Sequence, residues 1–215
     1  MAEQSIPSFA YELEYRRQGF RFIAGVDEAG RGALAGPVAA AAVIVPELGA
    51  PAGVWAEVRD SKQLRPAVRE TLAAAVRAEA LAHAVGMASA AEIDEMGIAP
   101  ATRLAMTRAI AALQPAADFL LIDWVRLSAL ALAQVSFARA DALSVSVAAA
   151  SILAKVARDA HMVQLDALHP GYAFAAHKGY GAPAHLAALQ QLGPCPEHRH
   201  SFAPIARQPS LFDAS

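Results

Sequence analysis

The sequence has little of what marks secreted and membrane proteins. Its 215 residues include one cysteine, Cys195, which excludes an internal disulfide and favours a reducing compartment. The longest strongly apolar stretch, LSALALAQV at 127–135, is much shorter than the roughly 20 residues that span a bilayer. The first residues, MAEQSIPSFAYELEYRRQ, show no apolar core of a signal peptide. We therefore expect a cytoplasmic protein.

Charge is also sparse. Charged residues make up 18% of the chain and hydrophobic residues 56%, which argues against extended disorder. The length suits one sizeable domain, and the many alanines favour closely packed helices. A formal net charge of −2 gives no electrostatic support for a nucleic-acid partner. Scattered lysines and arginines commonly belong to solvated faces.

The order of apolar segments predicts an α/β protein. FIAGVDEA and VAAAAVIVP are typical of strands, and the short glycine turn between them predicts an antiparallel pair. ADFLLIDW is typical of a buried strand in a parallel sheet. Strands that alternate with helices indicate a sheet covered on both faces. Helices are predicted at 66–83, at 100–113, from Ser144 to Leu168, and near 183–192.

Four acidic residues stand at the ends of apolar segments. They are Asp27, Glu28, Asp123 and Asp141. An apolar strand that stops at an aspartate commonly delivers it to the carboxyl edge of a sheet, where α/β proteins place their sites. Carboxylates that converge there repel one another unless a cation lies among them. Oxygen ligands favour magnesium or manganese over zinc.

Local structural roles compete with this interpretation. Asp123 could cap a turn, and Asp141 could N-cap the helix that follows it. Neighbouring strand residues also point to opposite faces, so Asp27 and Glu28 reach one site only if the strand ends or twists there. The Ala-Gly-Arg-Gly that follows them makes such an ending plausible.

The glycine-rich turn allows a second interpretation, a dinucleotide-binding loop. Its spacing, G-x-G-x-x-x-G over 30–36, is one residue longer than the usual fingerprint. Two carboxylates directly before the loop would also repel a pyrophosphate. We therefore favour a loop that approaches a sugar or phosphate beside a metal site.

Seven motifs occur in an order that resembles bacterial ribonuclease HII, the type 2 ribonuclease H family. They are GVDEAGRGxLAGPV at 25–38, DSK-L at 60–64, EID at 92–94, LLIDW at 120–124, DALSVSVAAASILAKVARD at 141–159, HKGYG at 177–181 and HRHSF at 198–202. The resemblance covers roughly residues 20–205. It implies an α/β ribonuclease H-like fold, with a mixed five-stranded sheet flanked by helices and a small helical C-terminal cap. The corresponding segments are an N-terminal extension (1–19), a catalytic domain (20–205) with its cap at about 160–205, and a flexible tail (206–215).

The resemblance also implies an activity. The family hydrolyses the RNA strand of RNA–DNA hybrids and nicks 5′ of single ribonucleotides in duplex DNA, leaving a 3′-hydroxyl and a 5′-phosphate. Its metal ligands, for two Mn²⁺ or Mg²⁺ ions, fall on Asp27, Glu28, Asp123 and Asp141, with Asp27 shared between the ions. The family's substrate-binding positions fall on Gly30, Arg31, Gly32, Ser61, Lys62, Lys155, Arg158 and Tyr180. From the Gly-Tyr-Gly alone, Tyr180 would more often be a packed aromatic residue in a turn.

The chain departs from the family pattern at three places. Trp124 replaces a glycine after the third carboxylate, Arg139-Ala140 replaces Lys-Gly before the fourth, and Ala182 replaces a threonine. These changes put the local backbone geometry in doubt, and with it the metal preference or rate. We expect Trp124 to be packed beneath the site.

Three further features remain to be assigned. Cys195, His198 and His200 have no fourth ligand at a suitable spacing, so we expect a structural or phosphate-facing role for them rather than a zinc site. The tail residues Gln208, Leu211 and Phe212 resemble the peptide by which bacterial repair proteins bind the sliding clamp, and the alternative is a tail that folds back on the domain.

Two other functions are compatible with the sequence: a junction resolvase, and a non-catalytic, clamp-associated module that binds hybrids. We expect a monomer.

Overall fold

The computed structural model describes residues 6–46 and 49–207. Its strands are β1 Ile23–Ala29, β2 Val38–Ile44, β3 Ala82–Ala88, β4 Phe119–Asp123 and β5 Ala133–Phe137. Its helices are α1 Ala10–Arg17, α2 Val54–Glu57, α3 Pro66–Glu79, α4 Ala90–Met96, α5 Ile98–Ala111, α6 Val145–Leu168, α7 Phe174–His177 and α8 Pro183–Leu192. Three short 3₁₀ turns lie at Ser61–Gln63, Ala140–Ala142 and Ile205–Arg207. Within these residues, no helix is both long and apolar enough to cross a membrane.

The five strands form one mixed sheet in the order β3-β2-β1-β4-β5. β1 pairs antiparallel with β2, and β2 pairs antiparallel with β3. β1 pairs parallel with β4, and β4 pairs parallel with β5. The predicted antiparallel opening pair and the predicted mixed five-stranded sheet are confirmed. Because β1 and β4 run in the same direction, the carboxyl ends of both strands lie at the same edge.

Small residues let helices approach both faces of the sheet. A Cβ added to Gly25 on β1 would lie 2.2 Å from the backbone carbon of Ser146, so α6 crosses β1 almost in backbone contact. On the opposite face, a Cβ on Gly86 would lie 2.2 Å from the carbonyl oxygen of Ala105 in α5. Both contacts would be lost with any larger residue, since the strand or the helix would have to shift. The alanine-rich composition therefore corresponds to close packing of helices on the sheet.

The N-terminal helix is tied to the domain that follows it. Glu12 of α1 is fully buried, and its Oε1 accepts hydrogen bonds from the Ser144 and Ser146 hydroxyls at 2.6 and 2.7 Å. These serines lie at the start of α6, where unpaired N–H groups favour a carboxylate. The boundary at residues 19–20 stays a prediction, although α1 packs against the domain.

The C-terminal cap is built on the second half of α6. Its small core contains Met162 and Leu165 of α6, Tyr172, Phe174 of α7 and Ala188 of α8. The helix expected near 183–192 is present as α8. Residues 208–215, with the predicted clamp-binding positions, lie outside the described residues.

Candidate active site

The four predicted carboxylates lie at one edge of the sheet. Asp27 and Glu28 are near the end of β1, Asp123 ends the neighbouring β4, and Asp141 follows β5 in a 3₁₀ turn. Two adjoining clefts open here, with volumes of about 460 and 220 Å³. Glu28 lines both of them, Asp123 and Asp141 line the larger, and Asp27 lines the smaller. The parallel β1–β4 pairing therefore brings together residues almost 100 positions apart in the sequence.

Asp27 and Glu28 reach the same cleft although they are neighbours on a strand. The strand ends one residue later at Ala29, and Gly30 has a positive φ of 93° that turns the chain away. Asp27 is 7% exposed, and its Oδ1 accepts the Glu28 N–H at 2.7 Å. Neighbouring strand residues would ordinarily point to opposite faces of the sheet. Because the strand ends here, both side chains reach the same cleft.

The environment of the cleft disfavours the ionised forms of three of its carboxylates, Asp27, Glu28 and Asp141. Burial raises the pKa of Asp27 well above its ordinary value, and the nearby Glu28 and Asp123 raise it further. Burial, with Asp60 and Asp123 nearby, raises the pKa of Asp141 to about 6. Burial also raises the pKa of Glu28, against the opposing effect of Arg31, whose Nη1 lies 3.3 Å from Glu28 Oε1. A cation in the cleft would remove this mutual repulsion.

The donor set suits a hard divalent cation. The ligands available are carboxylate oxygens, and Glu28 Oε2 is a buried oxygen with no hydrogen-bond partner among the described residues. In the described part of the chain, no three acidic, histidine or cysteine side chains are close enough to enclose one ion. Magnesium commonly takes one or two protein carboxylates and completes its octahedron with water and substrate phosphates. The residues present fit that mode of binding.

Residues 60–63 add a fourth acidic group and a cation to the larger cleft. Asp60 lines it together with Lys62, and Asp60 Oδ1 accepts the Lys62 N–H at 2.9 Å. Burial alone would lower the pKa of Lys62, but Asp60 and the other cleft carboxylates raise it. Ser61 is buried, and its N–H donates to the Ser151 hydroxyl at 3.2 Å. Sequence reasoning missed Asp60, although its place in the DSK motif was a usable signal.

Two buried arginines hold the glycine-rich loop by its carbonyl groups. Arg199 donates to the carbonyls of Gly30, Arg31 and Gly36 at 2.7, 2.9 and 3.0 Å. Arg158 donates to the carbonyls of Ala35, Pro37 and Lys178 at 3.0, 2.8 and 2.9 Å. Burial, and then the charge of Arg158, lower the pKa of Arg199 to about 9. Arg158 is therefore placed beneath the loop rather than in the cleft, and sequence reasoning did not assign Arg199 any role.

The same loop presents its amides outward. The N–H groups of Arg31 and Gly32 have no hydrogen-bond partner in 6–46 or 49–207, and both residues line the smaller cleft. A Cβ on Gly32 would meet nothing within 4 Å, so the backbone there is open to a ligand. A Cβ on Gly30 would lie 1.9 Å from Arg158 Nε, so only glycine fits above that guanidinium.

Tyr180 lines the same smaller cleft as this loop. Its side chain is 37% exposed, and the Lys155 ammonium and the Arg158 guanidinium lie 5.6 and 5.3 Å from the ring centroid. Lys155 lines the same cleft and pairs with Asp159 at 2.7 Å. Tyr180 is therefore a partly exposed ring at the cleft rather than a packed turn residue.

A chain of hydrogen bonds fixes the backbone of Tyr180 from the cap. The Cys195 N–H donates to His198 Nδ1 at 2.9 Å, so His198 carries its proton on Nε2. That nitrogen lies 3.0 Å from His185 Nε2, and His185 Nδ1 lies 2.9 Å from the Tyr180 carbonyl. Burial and the neighbouring His185 lower the pKa of His198 to about 4, which keeps it neutral. The role of Cys195 and His198 is structural, as expected.

The turns after β4 and β5 differ from the expectations. Trp124 is 70% exposed at the rim of the larger cleft, so the prediction that it packs beneath the site is wrong. Its φ of 58° lies in the left-handed region, which suits the glycine of the family pattern and turns this side chain outward. Ser144, not Asp141, N-caps α6. Asp123 does accept the Ala140 N–H at 2.7 Å, so it supports a turn while facing the cleft.

Comparison with known proteins decides the family. The model of the ribonuclease HII family matches residues 24–205. The chain belongs to the ribonuclease HII family. A ribonuclease HII of Dehalococcoides mccartyi is 50% identical over 200 residues, which cover 93% of each chain. The resemblance seen in the motifs is thereby confirmed, and the protein is an endoribonuclease of the ribonuclease H type.

Solved structures of ribonuclease HII relatives share the fold. The Archaeoglobus fulgidus ribonuclease HII, solved as a complex with PCNA, is 26% identical with a TM-score of 0.73 over 90% of this chain and 100% of that one. The ribonuclease H2 of Pyrococcus horikoshii is 25% identical with a TM-score of 0.70 over 87% of this chain and 96% of that one. The predicted ribonuclease H-like fold is thus confirmed.

Proposed function

We propose that this ribonuclease HII hydrolyses the RNA strand of RNA–DNA hybrids and nicks duplex DNA 5′ of single embedded ribonucleotides. The products would be a 3′-hydroxyl and a 5′-phosphate. The observation that carries the proposal is the smaller cleft, which is lined by Asp27 and Glu28 and by Arg31 and Gly32, whose amides have no partner among the described residues. This arrangement supports a carboxylate site for cutting beside an open backbone that recognises a sugar.

Recognition of ribose is assigned to the Gly30-Arg31-Gly32 backbone. A 2′-hydroxyl both donates and accepts hydrogen bonds, so it can pair with an unpaired backbone amide. Tyr180 faces the same cleft and would pack on the sugar that follows the ribonucleotide, where a second 2′-hydroxyl would clash. Lys62 and Lys155, together with the Ser61 segment, would contact phosphates. Arg158 would act through the loop that it holds.

Asp27, Glu28, Asp123 and Asp141 would hold two Mn²⁺ or Mg²⁺ ions, with Asp27 shared between them. Bound there, they would supply Lewis-acid chemistry, which lowers the pKa of a water and stabilises the leaving oxygen of an in-line displacement. The carboxylates would hold the ions in position for this reaction. The Gly-Arg-Gly loop would allow cleavage only where it binds a 2′-hydroxyl. Glu28 Oε2, buried and without a hydrogen-bond partner in 6–46 or 49–207, is a ligand atom available for this purpose.

The deciding experiment uses three duplexes of one sequence: all DNA, DNA with one ribonucleotide, and an RNA–DNA hybrid. With Mg²⁺ or Mn²⁺, we expect the second to be nicked once, 5′ of the ribonucleotide, and the first to stay intact. A junction resolvase would ignore the single ribonucleotide and cut a four-way junction instead. Binding without cleavage of any substrate would indicate the hybrid-binding module.

We further propose that the tail recruits the enzyme to a sliding clamp through Gln208, Leu211 and Phe212. Two adjacent apolar anchors and an amide suit an apolar groove with a polar rim. The Archaeoglobus relative was solved with PCNA, which is a precedent in that protein. The double substitution Leu211→Ala, Phe212→Ala should abolish capture by an immobilised bacterial clamp while cleavage rates stay unchanged. Undiminished capture would refute this role.

A further inference from the structure

Trp124 stands at the rim of the larger cleft in an arrangement that packing does not explain. Its indole is 70% exposed and lines the cleft together with Glu28, Asp123 and Asp141. A single exposed apolar side chain is ordinary elsewhere on a protein surface. Here it lies among the residues that form the candidate active site.

The backbone of Trp124 is held in a conformation that L-residues rarely adopt. Its φ is 58°, and the Val125 N–H donates to the Asp123 carbonyl at 2.6 Å, which closes a three-residue turn centred on Trp124. The Trp124 N–H also donates to the Phe137 carbonyl at 3.1 Å, so both ends of the turn are fixed. Glycine would occupy this position without strain. A non-glycine outlier at an active site points to a role for the side chain.

An aromatic side chain lines each of the two adjoining clefts that hold the carboxylates. Tyr180 lines the smaller cleft and Trp124 the larger one, while Glu28, Arg31 and Lys62 line both. A strand that crosses the carboxylates and meets Tyr180 on one side would therefore meet Trp124 on the other. Arg139, exposed beside Trp124 in the larger cleft, supplies a positive charge for a phosphate at that end.

We propose that Trp124 packs its indole on a nucleotide of the bound duplex, on the side of the carboxylates opposite Tyr180. This assignment rests on the proposed function, since it takes the duplex as the ligand of both clefts. Every nucleotide offers an apolar sugar or base face, so the contact is independent of sequence. Trp124 is in this sense a substrate-binding residue whose contact a glycine at this position would not provide.

Three substitutions separate binding from backbone strain. Trp124→Gly removes the indole and relieves the turn, so Kd for a labelled ribonucleotide duplex should weaken about tenfold while Tm stays equal or rises. Trp124→Ala removes the indole but keeps the strain, so it should weaken binding equally with a lower Tm than Trp124→Gly. Trp124→Phe keeps a ring and should stay within about twofold of wild type. Leu168→Ala, an equally exposed side chain at the end of α6, is the control and should leave Kd unchanged.

Steady-state kinetics distinguish a substrate contact from a structural role. Because the contact is made in the ground state and the transition state alike, Trp124→Gly should raise KM with kcat within about twofold of wild type. A structural role exerted through the neighbouring Asp123 would instead lower kcat. Unchanged KM, or a loss confined to kcat, would overturn the proposal.

Fluorescence gives a readout that does not depend on cleavage. The chain has two tryptophans, and Trp55 is buried beside α3, so Trp55→Phe leaves Trp124 as the reporter. Its emission should be quenched as the duplex is titrated in EDTA; if Trp55→Phe folds poorly, the difference between wild type and Trp124→Phe gives the same signal. Unchanged emission at saturating duplex refutes the role of Trp124 even if ribonucleotides are cleaved normally. Failure of the wild type to bind any duplex refutes this role and the proposed function together.

Discussion

The carboxylate cleft and the arginine-held loop both gather charge of one sign, but they differ in how that charge is satisfied. Beneath the loop, the guanidiniums of Arg158 and Arg199 direct six N–H donors to six backbone carbonyls. In the cleft, Asp27 and Asp141 have raised pKa values, and Glu28 Oε2 has no partner among the described residues. The buried guanidiniums find all these partners within the protein, whereas the cleft carboxylates do not.

This difference distinguishes charged groups that stabilise the fold from charged groups that serve a functional site. A buried cation surrounded by carbonyl oxygens stabilises the fold, and its removal leaves those oxygens unsatisfied. A group of carboxylates that repel each other destabilises the fold until a cation joins them, which is the pattern expected of a metal site. Substitutions in the two regions should therefore change stability in opposite directions.

The largest effect is expected for Asp27→Asn. Loss of the proposed shared metal ligand should reduce cleavage by at least about 10³-fold, because metal ions supply several kcal/mol of transition-state stabilisation. Duplex binding should survive. The Tm at pH 7 without metal should rise, because a buried, repelled carboxylate is replaced by a neutral amide. Cleavage on the three duplexes and a thermal melt check both outcomes.

The matched control for Asp27→Asn is Glu95→Gln, an exposed acidic residue on α4. It should change neither cleavage nor Tm. Retained cleavage in Asp27→Asn would remove Asp27 from the metal site, and a lowered Tm would contradict the idea that the cleft is destabilised by its own charges.

The next effect is expected for Arg199→Gln, with the opposite sign on stability. Three carbonyls of the 30–36 segment would lose their donors, so the free energy of unfolding should fall by about 2–4 kcal/mol. Cleavage at single ribonucleotides should fall as well, because the loop amides lose their fixed orientation. Urea denaturation measures the first effect. His200→Ala, the exposed neighbour, should be neutral, and a stable Arg199→Gln would show that the loop does not depend on its buried cation.

A smaller effect is expected from metal binding, and it depends on pH. The folded-state pKa values of Asp27 and Asp141 are both raised, so the contribution of each to stability is present below about pH 4 and is lost as pH rises through its folded-state pKa, which is about 6 for Asp141. Metal binding replaces protons in that range. Mn²⁺ at about 100 times its Kd at pH 8 should therefore raise Tm by about 5–10 °C at that pH, and the same concentration should raise it less at pH 5. Equal shifts at both pH values, or an undiminished shift in Asp27→Asn, would contradict a site built on these carboxylates.

The sequence predicted most of the sheet and the four carboxylates, because both depend on local patterns. Apolar runs that stop at Asp27 and Asp123 mark strand ends, and parallel pairing brings such ends together. The motif resemblance supplied the remaining assignments. The helices predicted at 66–83 and 100–113 differ from α3 and α5 by a few residues at their ends.

Two features could not be predicted from local sequence patterns: which charged side chains are buried, and which residues have unusual backbone angles. Arg158 and Arg199 look like surface residues in sequence, since only the tertiary fold places carbonyl groups around them. Trp124 looks like a core residue, since only its positive φ and the Phe137 hydrogen bond direct it outward. The N-cap at Ser144 was obscured because the 3₁₀ turn holding Asp141 precedes α6.

The outward-facing amides of the loop have a consequence for how an acidic chain attracts a polyanion. Arg158 and Arg199 are buried beneath the loop and hold its carbonyl oxygens, while the amides of Arg31 and Gly32 have no partner among the described residues. Two divalent ions in the neighbouring cleft would bring four positive charges and invert the formal net charge from −2 to +2. The charge counted from the sequence is therefore that of the metal-free chain, and affinity for a duplex should rise when the ions add their electrostatic field.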